Sequence, residues 1–191
     1  QALDRSGQRD NTLIIFVSDH GEGVAMHHWN QKQILYEQAV RVPFLISWRG
    51  KTKPRVTETL SSIALDIPST ILDFAGAEIP DSMHGISLKD FALGGAIDKE
   101  RDYVVAETTF ASGKRSLGLV GRMIRTKRFK YCVYDVGQQR EQLFDMDADP
   151  GETNNLAIDP NHAAELNQHR NLIAKWASKT SDSNFPYVTT K

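Results

Sequence analysis

Residues Thr12 to Val17, Thr-Leu-Ile-Ile-Phe-Val, form an unbroken apolar and β-branched run that stops at once in Ser18-Asp19-His20-Gly21-Glu22-Gly23. A short run without alternation reads as a strand buried on both faces of a parallel sheet. The polar, glycine-marked loop then stands at the strand's carboxyl end, where open α/β sheets bind ligands. A helical stretch from about residue 31 to 41 follows, and after it a second buried strand, Val42-Pro43-Phe44-Leu45-Ile46-Ser47-Trp48. Strand, helix and strand at this spacing predict a βαβ-like unit. The next helix is punctuated by Asp66 as a start cap, Pro68 in the first turn and Gly76 as a C-terminal cap. Ile67, Ile71, Leu72 and Ala75 repeat along it with helical spacing. Residues 77–99 read as a long connection, with one helical turn at 88–91.

Beyond Arg101 the character changes. Four strands are predicted, at residues 103–107, 117–124, 129–136 and 142–145, and the short links between the last three predict an antiparallel meander. In the third, Phe129, Tyr131 and Val133 alternate with Lys130, Cys132 and Tyr134. That pattern predicts a sheet with one covered face. The expected cover is a final helix started by Asp159-Pro160 and striped by Ala163, Leu166, Leu172, Ile173 and Trp176. The tail after Ser178 is polar, with Phe185 and Tyr187 as its docking residues. The fold class is α/β: residues 1–100 belong to a main α/β layer, and residues 101–191 form a four-stranded antiparallel sheet packed on a C-terminal helix.

Composition narrows the function. The 191 residues carry 23 Lys plus Arg against 24 Asp plus Glu, a balance that does not suit a nucleic-acid binder. One cysteine excludes an internal disulfide framework and a multi-cysteine zinc site. No apolar run approaches the roughly 18–20 residues of a membrane span. The opening residues lack an initiator Met and the apolar segment of a signal peptide, so the chain reads as a piece of something longer.

Two local groups can carry chemistry. Asp19 and His20 offer an oxygen and a nitrogen to a divalent cation, and Gly21 lets the backbone turn away sharply. Lys32, twelve positions after His20, offers an ammonium to an anionic ligand, with His27 and His28 on the same stretch. Taken singly, each also reads as an ordinary strand-end turn or surface residue.

Taken together, Ser18-Asp19-His20-Gly21, Lys32, Leu35-Tyr36-Glu37 and Arg41-Val42-Pro43-Phe44 resemble a signature of the type I sulfatases of the alkaline-phosphatase superfamily. The resemblance continues through Ile79-Pro80 and His84-Gly85-Ile86-Ser87-Leu88. It extends through Arg125 to Tyr131 and through Leu143-Phe144-Asp145 to Asp149-Pro150-Gly151-Glu152-Thr153-Asn154-Asn155-Leu156. In this order it spans about Asn11 to Trp176. It implies the C-terminal portion of an alkaline-phosphatase-like sulfatase fold. Asp19 and His20 would be two ligands of a calcium ion whose other ligands lie upstream. Lys32 would contact the sulfate oxygens and stabilise charge on the leaving-group side, with His27 near the anion and His28 competing for that role. The Leu-Phe-Asp to Asn-Leu stretch would be structural, with Asp147 and Asp149 as turn and cap residues.

The family's nucleophile, a formylglycine made from Cys or Ser in Cys/Ser-x-Pro/Ala-x-Arg, has no counterpart here. Cys132 lies in a predicted strand with no proline or arginine at that spacing, and reads as a packed sheet residue. The resemblance therefore implies a sulfatase C-terminal fragment, inactive alone, that partners the missing N-terminal part of the same enzyme. Its substrate would be a sulfated small molecule or carbohydrate, and its location secreted, periplasmic or lysosomal. Two other readings stand beside it: a phosphodiesterase or phosphonate hydrolase of the same superfamily, and a binding module that has lost the chemistry. His84, Arg115 and Arg122 are candidates to face a substrate, although each also reads as a solvated surface residue.

Overall fold

The computed structural model describes residues 1–29, 31–97, 100–112 and 115–185. In chain order its elements are α1 (Ala2–Arg5), β1 (Ile14–Val17), α2 (Glu37–Val40), β2 (Phe44–Ser47), α3 (Ile63–Ala75) and α4 (Lys89–Ala92). There follow β3 (Val104–Ser112), β4 (Arg115–Arg125), β5 (Phe129–Tyr134), β6 (Glu141–Asp145) and α5 (Ala163–Thr180). Single 3-10 turns lie at Arg9–Asn11, Met26–His28, Leu156–Ile158 and Pro160–His162. The chain divides into two compact units, Gln1–Asp19 with Val42–Arg101 and His20–Arg41 with Asp102–Lys191. Among the described residues no helix is long and apolar enough to cross a membrane.

In the first unit β1 and β2 pair antiparallel, Phe16 opposite Leu45 and Ile15 opposite Ile46. This corrects the expected parallel, βαβ-like arrangement. An apolar run records burial and not direction, and parallel neighbours need a covering crossover. The helix expected over residues 31–41 forms only at α2, which clusters with the other unit. Nor are the strands buried on both faces: Phe16 is 60% and Leu45 57% exposed.

Helix α3 begins at Ile63 after Ser62, so Asp66 lies in the first turn and Pro68 inside the helix, both later than expected. Asp66 still serves the helix start, because its buried carboxylate accepts the Ser62 N–H at 2.7 Å. It also accepts the Ile86 N–H at 2.8 Å and two N–H groups of Arg101. Gly76 ends the helix in the left-handed region at φ 69°, as expected. The His84-Gly85-Ile86-Ser87-Leu88 stretch packs on α3 so closely that a Cβ on Gly85 would stand 1.9 Å from the Leu65 carbonyl oxygen. Leu88 N–H donates to Thr70 Oγ1 and Ser87 Oγ to Asp73. This motif is a helix-docking device.

The second unit is built on the antiparallel sheet β3-β4-β5-β6. One face carries Ile124, Tyr131, Val133 and Leu143, packed with Leu166, Ile173 and Ala177 of α5 and with Phe185 of the tail. Tyr187 lies outside the described residues. The opposite face is covered too, because Met123 and Cys132 pack with Leu35. The expectation of a single covered face is therefore corrected, and Lys130, which alternation placed on the open side, has no exposed surface.

Candidate active site

The segment after β1 is shaped by backbone bonds to α2. Gly21 N–H donates to the Ala39 carbonyl at 2.8 Å, and a Cβ on Gly21 would stand 1.9 Å from the Gln38 carbonyl oxygen. Only glycine permits this approach. Gly23 N–H then donates to the Gln31 carbonyl at 3.1 Å, and the Glu22 carboxylate accepts the Gln31 N–H. The loop between Gly23 and Gln31 is thus closed at its base. Five of its non-glycine residues, Val24, Ala25, His27, His28 and Gln31, have positive φ. Each costs on the order of 1 kcal/mol, and such strain persists where surrounding structure over-determines it.

His27 is held in this loop by a face-to-face stack on Tyr36, with ring centroids 3.8 Å apart and planes 6° from parallel. Its Nε2 is buried and has no hydrogen-bond partner among the described residues. The Tyr36 hydroxyl accepts from Gln142 Nε2 at 3.1 Å, and burial first of all pushes its pKa upward, so the ring is neutral. Lys32 is exposed immediately after the closed base, ahead of the buried Ile34 and Leu35. His28 is exposed as well.

His20 opens the second unit and is half-buried, with Nδ1 2.6 Å from the Gly21 carbonyl oxygen. That oxygen can only accept, so Nδ1 carries a proton and donates to it. Asp19 is exposed and ends the first unit. Among the described residues no three His, Cys, Asp or Glu side chains gather as a metal-binding group. The Cys132 thiol is fully buried and pushed up to about 12, chiefly by desolvation, which removes it as a nucleophile.

The three substrate-facing candidates resolve differently. Arg122 is buried in a two-pronged pair with Asp182, at 2.7 and 3.0 Å, and so clamps the tail; it is not a solvated surface residue. His84 is exposed, and the Arg115 side chain lies outside the described residues. Sequence reasoning passed over one further group. Lys130 Nζ lies 2.6 Å from Glu152 Oε1 and 3.2 Å from Glu37 Oε1. Glu152 Oε2 accepts the Glu37 N–H at 2.7 Å, at the start of α2. A lysine alternating into an apolar strand was the available signal. Asp149, by contrast, is a turn residue, accepting from Thr153 and Asn154 N–H groups at 2.8 Å each, and the cap of the following 3-10 turn is Asn155.

Residues 25–179 match the family described as N-sulphoglucosamine sulphohydrolase, C-terminal. The chain belongs to the sulfatase family. It is 36% identical over 175 residues to a Delta 4,5-hexuronate-2-O-sulfatase of Bacteroides thetaiotaomicron, covering 90% of this chain and 36% of that protein. A solved 2-O GAG sulfatase superposes with a TM-score of 0.83 at 34% identity, over 91% of this chain and 37% of its own. A phosphonate monoester hydrolase from Silicibacter pomeroyi gives 0.81 at 30% identity, over 96% and 38%. The sulfatase chain therefore spans only a minor part of the length of the relatives it matches, and it has the α/β, alkaline-phosphatase-like fold of its sulfatase neighbours.

Proposed function

We propose that this chain is the C-terminal part of a calcium-dependent sulfatase that hydrolyses sulfate esters of carbohydrates or other small molecules. The observation that carries the reading is the closed, strained loop that presents His27 with an unpartnered buried Nε2 and ends at the exposed Lys32. An imidazole nitrogen and a cation on one braced segment suit a tetrahedral anion, and a lysine there stabilises charge as the ester breaks. The names of the relatives support a sulfated carbohydrate as the substrate class.

Asp19 supplies a hard carboxylate oxygen and His20 an imidazole nitrogen. This pair suits a divalent cation that takes its remaining ligands from the N-terminal part of the same enzyme. When bound, calcium would supply positive charge against the anionic ester. The apolar Phe16–Leu45 pair, exposed here, is the face on which the rest of the main α/β layer would pack.

The test is to assay the complete enzyme and the isolated chain side by side on sulfated sugars, an aryl sulfate and a phosphonate monoester. The complete enzyme is expected to cleave sulfate esters and to lose this with Lys32→Ala, while the isolated chain is silent. Faster turnover of the phosphonate ester, or turnover by the chain alone, would overturn the reading.

A further inference from the structure

We propose that Glu152, Lys130 and Glu37 are positioning residues for the loop carrying His27 and Lys32. They hold that loop through α2 in the shape the anion requires. The inference deepens the proposed function and rests on it for the identity of the anion.

Helix α2 has four residues, Glu37–Val40, too few to be stable by itself. Yet the loop depends on this segment at two points: Ala39 holds the N–H of Gly21, and Tyr36 forms the platform under His27. What secures α2 arrives from far along the chain. Glu152, with φ 57° and a fully buried side chain, points one carboxylate oxygen at the Glu37 N–H and the other at Lys130. Lys130, also fully buried, reaches from β5 to the Glu37 carboxylate. Thr108 adds a bond from its hydroxyl to the Gln33 carbonyl at 2.7 Å, and Gln142 one to the Tyr36 hydroxyl. The sheet thus grips the segment from residue 33 to 39, and the segment grips the loop.

A role confined to stability would not need charges, since well-packed apolar side chains often fill such a space without loss. Directional bonds are what fix the angle of α2, and with it the ring of Tyr36. The left-handed residues of the loop need such an external brace, because the loop's own backbone disfavours its shape.

The test reads the loop and the core separately. Stacking on Tyr36 shifts the ring protons of His27 upfield in the NMR spectrum of this chain, and Tyr36→Leu marks their position with the stack gone. In Glu152→Gln the His27 resonances are expected to move most of the way to that mark, while the methyl resonances of Ile124, Leu143 and Ile173 stay in place. Glu152→Asp keeps the charge beside Lys130 but withdraws the carboxylate from the Glu37 N–H. It serves if Glu152→Gln does not fold. In the complete enzyme either variant is expected to lower kcat about tenfold with KM within about twofold. His27 resonances unchanged in a folded variant would overturn the proposal, as would a kcat that falls only in proportion to folded protein. If the enzyme cleaves no sulfate ester, the reading of the substrate fails, and the His27 resonances still decide the positioning.

Discussion

Phe16 of β1 and Ile124 of β4 are both large apolar strand residues, yet the first is 60% exposed and the second has no exposed surface. The β1–β2 pair is a two-stranded sheet, a form that is marginal by itself. The β3–β6 sheet has four strands, α5 on one face and the segment around Leu35 on the other. An apolar strand gains burial only in proportion to the layers present to cover it. The difference also locates the candidate site, since the segment bearing His20, His27 and Lys32 clusters with the fully covered sheet.

The largest effect is expected from Lys130→Met in the covered sheet. It leaves Glu37 and Glu152 facing each other in a buried site, and the chain is expected to lose about 3–5 kcal/mol in urea unfolding. A neutral result would mean that the cluster is not desolvated as its geometry indicates. Ile124→Ala cuts into the same covered sheet and should cost about 2–5 kcal/mol, readable as a lower Tm.

Arg122→Gln is expected to cost about 1–3 kcal/mol, because it removes two charge-assisted bonds to Asp182. The Arg122 guanidinium holds the Asp182 carboxyl below its usual range. Its contribution is therefore complete above the unfolded value near 3.9 and is lost as pH falls through the lower folded value. Stability measured against pH should show an acid-side loss in the native chain and a flatter one in Arg122→Gln. Phe16→Ser comes last: on so exposed a strand the change in stability should stay within about 0.5 kcal/mol. A loss comparable to that of Ile124→Ala would show that β1 is covered after all.

Much of this was legible beforehand. The meander, the terminal helix, the Gly76 cap and the packed Cys132 follow from periodicity and turn chemistry, which act over a few residues. The sulfatase relationship was carried by motifs in order along the chain. Part of the candidate site was legible as well, as residue types: a carboxylate and an imidazole at a strand end, then a lysine.

Tertiary structure decided the rest. Periodicity is blind to strand direction, so the antiparallel pairing of β1 with β2 could not be read from it. The second cover on the sheet and the hold of Glu152 on Glu37 join residues as much as 115 positions apart. Such contacts depend on which surfaces remain after local elements form. Asp149-Pro150-Gly151-Glu152 could be recognised in the sequence, but only the folded chain brings its glutamate to the start of α2, where directional bonds to a buried lysine and a backbone N–H turn a motif into a brace.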